Sequence, residues 1–211
     1  MRALAPRLRL TVWLGLLAVT SCLLAATAQA RDTLLVLGDS ISAAYGMQLE
    51  QGWVSLLDAR LQQEQLPYRV INASISGETS GGGLRRLPDL LKAHAPKVVI
   101  IELGGNDGLR GYPIEQLRYN LTKLVRLSEE AAASVLLVPM EIPPNFGKFY
   151  TDAFRASFSE AAESTSAMLA KFPLASVALD ATLMQPDGIH PTAEAQPIIM
   201  DIIWQTLESL L

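Results

Sequence analysis

A chain of 211 residues that is half hydrophobic and only 18% charged has the material for one sizeable core, which excludes a disordered or low-complexity protein. Its net charge of −4 excludes the basic footprint that nucleic acid or an anionic membrane surface would select. The single cysteine, Cys22, lies near the N-terminus, so the rest of the chain has neither a thiol nucleophile nor a disulfide.

The first 30 residues read as a secretory signal peptide. MRALAPRLRL carries Arg2, Arg7 and Arg9 without an acid, an apolar run extends from about Leu10 to Ala26, and the small-residue pattern AQA closes at Ala30. The apolar run is short for a spanning helix and is broken by Thr20 and Ser21, which favours cleavage after Ala30 over an uncleaved anchor. VTSC around Cys22 is only loosely like a lipoprotein box, because an apolar stretch follows it instead of a polar tether. Loss of the three arginines takes the net charge from −4 to −7. The mature chain is expected to be one soluble periplasmic domain, residues 31–211, a monomer without stable membrane insertion that acts on a small molecule.

Beyond that segment, strand-length apolar runs occur at 33–37, 69–73, 98–103 and 135–139, with a weaker one at 174–179. They are leucine-rich and β-branched with little polar alternation, as parallel strands covered on both faces require. Helical patterns fall between them, at 53–65, at 113–131 behind Pro113, at 151–171 and at 192–211. This alternation predicts right-handed βαβ units: an α/β fold, a three-layer α/β/α sandwich with a central parallel sheet of about five strands.

In such a sheet, ligands bind beyond the C-terminal ends of the strands. Four segments there combine small, polar and titratable residues. GDSIS follows the first strand, with Gly38 for a tight exit, Asp39 for the local backbone and Ser40 at the sheet edge. Asp-Ser is also ordinary turn chemistry. NASISGETSGG follows the second, where Gly77 can bring its N–H close to a bound group or merely make a turn. IELGGNDGLRG follows the third and presents the neutral amide of Asn106 beside Asp107, although an Asx turn would use the same residues.

QPDGIHPTAEAQP precedes the last helix, which is expected to start at Pro191. Asp187 and His190 are three apart across Gly188, a spacing that lets the carboxylate reach one imidazole nitrogen while the other faces outward. The other histidine, His94, sits at a helix end, where a cation suits the dipole. His190 is therefore the candidate for acid–base chemistry near neutral pH. Together the segments supply the parts for acyl transfer. Ser40 is the nucleophile, His190 the base and Asp187 its orienting acid, and the N–H groups of Ser40 and Gly77 with the Asn106 amide form an oxyanion hole.

GDS, the glycine of SISGETS, GGND and DGIH also resemble the four blocks of the SGNH (GDSL) hydrolases over essentially the whole mature chain. NASISGETS, IELGGNDGLRG, IPPNFG and DGIHP look like the bacterial periplasmic subgroup of thioesterases, arylesterases and lysophospholipases. That resemblance implies a flavodoxin-like sandwich, the same five site residues and cleavage of fatty acyl esters or thioesters without a metal or cofactor. It also implies an acyl pocket walled in part by the loop holding EIPPNFGKFY, where Leu109, Ile142 and Pro143 are the expected lining. One stretch departs from the subgroup: LASVALDATLMQP is shorter than its counterpart and lacks the aromatic residues, so chain-length preference does not carry over.

Other chemistries fit less well. An α/β-hydrolase elbow needs a second glycine where Ser42 stands. Two separated histidines make a poor metal cluster. SGGGLRRLP lacks the lysine-hydroxyl pair of a phosphate loop. The Asn-x-Ser/Thr triplets at Asn72 and Asn120 read as chance matches. Two alternatives remain open: a carbohydrate O-acetylesterase with the same machinery, and a non-catalytic module that binds lipid or glycan.

Overall fold

The computed structural model describes residues 31–211. The expected signal peptide, its expected cleavage point and Cys22 lie outside them. Five strands, β1 (Asp32–Gly38), β2 (Tyr68–Asn72), β3 (Val98–Glu102), β4 (Ser134–Leu137) and β5 (Met168–Leu169), form one parallel sheet in the order β2-β1-β3-β4-β5. This is the flavodoxin-like order. Leu34 to Leu37 and Val99 to Ile101 are fully buried, so the central strands are covered on both faces, as their unbroken apolar runs require.

The helices are α1 (Trp53–Gln63), α2 (Ser80–His94), the short α3 (Gly105–Leu109), α4 (Ile114–Glu130), α5 (Lys148–Glu163) and α6 (Gln196–Leu207). α1 packs on α6, while α4 packs on both α2 and α5, giving two helical layers around the sheet. The stripe Leu117, Leu121, Leu124 and Val125 buries α4 against the core. The Thr79 hydroxyl caps α2 by accepting from Gly82 N–H at 3.1 Å. Among the described residues no helix is long and apolar enough to cross a membrane.

Three sequence expectations need correction. The segment 174–179 is not a strand. It turns locally, with Ala178 N–H donating to Leu174 C=O at 2.9 Å, and ends in a 3-10 turn at Val177–Leu179. Pro173 precedes it, and Ala175, Ser176 and Ala178 are poor strand formers. The fifth strand is instead Met168–Leu169, inside the stretch expected to continue α5, and it pairs with Leu136 and Leu137. α5 stops at Glu163, where the hydroxyls of Ser164 and Thr165 turn back to Ala161 C=O at 3.1 and 2.8 Å and compete with the helical ladder. Finally, Pro191 does not start α6. It forms a single antiparallel bridge with Met184, and the helix begins at Gln196 after a 3-10 turn at Ala193–Ala195.

In this strand order the chain leaves β1 toward β2 on one side and returns to β3 on the other. The switch point therefore lies between β1 and β3, where a doubly wound sheet opens its crevice. The turn after β1 carries Ser40 and the short helix α3 after β3 carries Asn106, so topology brings these two residues together.

Candidate active site

Ser40 lies in a tight turn after β1. Ala43 N–H donates to Asp39 C=O at 3.0 Å, Tyr45 N–H to Ser40 C=O at 3.1 Å, and Ile41 N–H to Asp39 Oδ1 at 3.0 Å. The glycine before it is required for space. A Cβ at Gly38 would stand 2.6 Å from Ser42 Oγ and 2.7 Å from Glu102 Oε2. Those two atoms hydrogen-bond at 2.6 Å beneath the turn.

The Ser40 hydroxyl is 2.9 Å from His190 Nε2, and His190 Nδ1 is 2.7 Å from Asp187 Oδ2. Asp187 Oδ1 also accepts the backbone N–H groups of Ile189 at 2.9 Å and His190 at 3.0 Å. Gly188 makes this loop possible at φ +68°, with nothing near its missing side chain, so its role is conformational. The backbone and ring donors of His190, then the Ile189 N–H, hold the Asp187 carboxyl down at about 2. A permanent carboxylate at Nδ1 fixes the proton there and leaves Nε2 free to accept from Ser40.

Asn106 lies in the first turn of α3, and its Nδ2 donates to Asp39 Oδ2 at 3.1 Å. Its neighbour Asp107 is buried and accepts both the N–H and the hydroxyl of Ser80, at 2.8 and 2.6 Å, while Asn120 Nδ2 donates to Ser80 Oγ at 2.9 Å. This network pins α3 to the start of α2 and to α4. Gly77 lies in the loop between β2 and α2. Glu78 N–H donates to Ile75 C=O at 3.0 Å and Gly77 has φ +78°, a type II turn with glycine at the position that needs it. Ile75 N–H donates to Gly38 C=O at 3.1 Å and Arg110 Nη2 to Gly77 C=O at 3.0 Å, tying the turn to the Ser40 and Asn106 loops.

A cavity of about 620 Å³ opens beside these groups. Ser40, Asn106 and His190 form its polar end, and Ile41, Leu109, Met140, Ile142, Pro143, Phe172, Leu174 and Met184 line the rest. Leu109, Ile142 and Pro143 line this cavity, whereas Gly77 does not. The region read as a strand at 174–179 supplies part of its wall.

Sequence reading missed Tyr45, whose ring lies 4.3 Å from the His190 ring. It also missed Gln185, whose Nε2 donates to Tyr45 C=O at 2.8 Å and to Pro191 C=O at 2.9 Å, holding the histidine loop to the serine turn. Neither carries a local motif that could have flagged it. Among the described residues no group of three or more His, Cys, Asp or Glu side chains is placed to hold a metal ion.

The sequence profile of the GDSL-like Lipase/Acylhydrolase family matches residues 36–197, a span that runs from within β1 to the start of α6. The chain belongs to this family. As a GDSL hydrolase it is 49% identical over 182 residues to Esterase TesA of Pseudomonas aeruginosa, covering 86% of this chain and 90% of that protein. It is 43% identical over 189 residues to Thioesterase 1/protease 1/lysophospholipase L1 of Escherichia coli K12, covering 90% and 89% respectively. A crystal structure of TesA superposes with a TM-score of 0.83 at 49% identity, over 85% of this chain and all of that one. This GDSL protein is accordingly an SGNH-type serine hydrolase with the family's five-stranded α/β fold.

Proposed function

We propose that Ser40, His190 and Asp187 cleave fatty acyl esters and thioesters through an acyl-serine intermediate. The Ser40 hydroxyl gives its proton to His190 Nε2 as Oγ bonds to the acyl carbon, and Asp187 stabilises the resulting imidazolium. The Ser40 and Gly77 N–H groups and the second N–H of the Asn106 amide receive the oxyanion, each such donor contributing about 3–4 kcal/mol in the transition state. His190 then protonates the departing alcohol or thiol. Water, deprotonated by the same imidazole, releases the acid and restores Ser40.

The observation that carries this reading is one imidazole within 2.9 Å of a hydroxyl and 2.7 Å of a carboxylate, at the polar end of a large apolar cavity. An acetyl group would leave most of that cavity empty, which weighs against the O-acetylesterase alternative. A binding module has no use for an intact proton relay. Leu109, Ile142 and Pro143 are assigned to the acyl chain. Residues 1–30 are proposed to export the protein to the periplasm, with cleavage after Ala30, and N-terminal sequencing of the exported protein tests this. Export would separate the enzyme from cytoplasmic acyl-CoA, so an oxygen ester such as a lysophospholipid is the proposed cellular substrate.

The test is turnover on aryl esters of graded acyl length, an acyl thioester and a lysophospholipid. Ser40→Ala should fold normally and lose about 10³-fold or more of kcat. Near-parental rates in that variant would refute the mechanism.

A further inference from the structure

Glu102 ends β3 directly beneath the Ser40 turn and is 1% exposed. Strand register sets it beside Gly38. Among the described residues, no lysine or arginine pairs with it. The ionisable group that faces it is Asp39, itself buried, and the His190 imidazole acts on Asp39 in turn. Asp107, on α3, is turned away onto Ser80. Two carboxylates in one dry pocket without a cation would leave two uncompensated charges, which proteins avoid by keeping one acid protonated.

The hydrogen bonds divide the roles. Asp39 accepts at both oxygens, from Ile41 N–H and from the Asn106 amide, as a carboxylate does. On Glu102, both donors meet the same atom: the Ser42 hydroxyl at 2.6 Å and Asp39 N–H at 3.3 Å reach Oε2. Oε1 has no partner in the protein. With both donors on Oε2, that oxygen can serve as the carbonyl of a carboxylic acid and Oε1 is left free to carry the proton. Burial, then the nearby Asp39 charge, pushes the Glu102 carboxyl well above the usual carboxylate range, in the same direction.

We propose that Glu102 is a positioning residue of this hydrolase: it keeps its proton at neutral pH, leaving Asp39 as the single buried charge that orients the Asn106 amide toward the oxyanion. Were Glu102 ionised, its charge would drive a proton onto Asp39. One Asp39 oxygen would then become a donor and Asn106 would lose its acceptor. The proposal rests on the hydrolase reading, since the oxyanion role of Asn106 belongs to it.

Infrared spectroscopy of the purified protein at about pH 8, where ordinary carboxyls are ionised, tests the protonation directly. A protonated-carboxyl C=O band that shifts on deuteration is expected in the parent and absent in Glu102→Gln. Kinetics on a neutral aryl ester test the positioning. Glu102→Ala should lower kcat about tenfold or more with KM within about twofold, and the neutral isostere Glu102→Gln should restore kcat to within about threefold of the parent. No such band in the parent, a band that persists in Glu102→Gln, or a Glu102→Ala variant that loses thermal stability but not kcat would each overturn the proposal. If neither variant folds, the parent spectrum alone decides. The band is read without turnover, so its absence leaves ester hydrolysis standing, whereas an active Ser40→Ala variant sinks the hydrolase reading and leaves the band in place.

Discussion

Asp39 sets stability against function in a single side chain. Its carboxylate is needed charged to hold Asn106, yet at 2% exposure burial raises it from 3.8 to about 6, against the opposing pull of Ile41 N–H, the Asn106 amide and the His190 charge. A group that binds its proton more tightly when folded contributes its stability at acid pH and loses it as pH rises through the folded value. Deprotonating Asp39 between those two values therefore costs the fold about 3 kcal/mol. Relative to the parent, Asp39→Asn should gain about that much stability between roughly pH 3.5 and pH 8, as denaturant unfolding at the two pH values would measure. It should also lose about tenfold in kcat, because the amide cannot accept at both ends. Parallel stability curves for parent and variant would contradict this. Asp187 has the opposite sign. Held near 2, it contributes stability above the ordinary carboxylate range and loses it only as pH falls through that value, and its partial exposure keeps the contribution small.

At the scale of elements, the turn Ile75–Glu78 depends on one peptide orientation. Type I and type II turns differ by a flip of the central peptide, here Ser76–Gly77, and only the glycine form keeps that N–H on its present side. A methyl group at Gly77 would meet nothing nearer than Arg110 Nη2 at 3.7 Å, so any loss on substitution is conformational, not steric. Gly77→Ala should cost about 1–2 kcal/mol of stability and about 10²–10³ in kcat with KM little changed, read from unfolding curves and steady-state kinetics. Loss of stability with an intact kcat would remove Gly77 from the oxyanion hole. Elements defined by their own residues were legible in the sequence: β1, β3 and β4 as unbroken apolar runs, and α4 as a proline-led stripe. Ser40, Asp187 and His190 were legible as a group because each lies in a short loop of distinctive chemistry. What the sequence concealed depends on distant partners. β5 is two residues long and exists because β4 offers an edge. Gly38 reads in the sequence as a tight exit from β1, whereas its bareness also makes room for Glu102 and Ser42, sixty residues apart. The Ser80–Asp107–Asn120 network likewise joins three helices that no local pattern connects.

The whole molecule adds a long-range field to these local contacts. Without residues 1–30 the chain carries −7, so an anionic substrate approaches against a net repulsion that a neutral one does not feel. The Debye length falls from about 30 Å at 0.01 M salt to about 8 Å at 0.15 M, which removes most of that repulsion while leaving contacts inside the cavity nearly unscreened. For an anionic acyl thioester, kcat/KM should rise about two- to fivefold over that range, whereas a neutral aryl ester of equal acyl length should change by less than about 1.5-fold. Steady-state kinetics on the two substrates across a salt series would measure the difference. A rate toward the anionic substrate that falls with salt would mean that a local cation governs the approach. Arg110 is the cation to test in that event, since it is exposed and its guanidinium already lies against the Gly77 turn. Because the comparison holds the acyl chain constant, the apolar cavity contributes equally to both substrates, and the salt dependence isolates the charge of the molecule from the fit of its site.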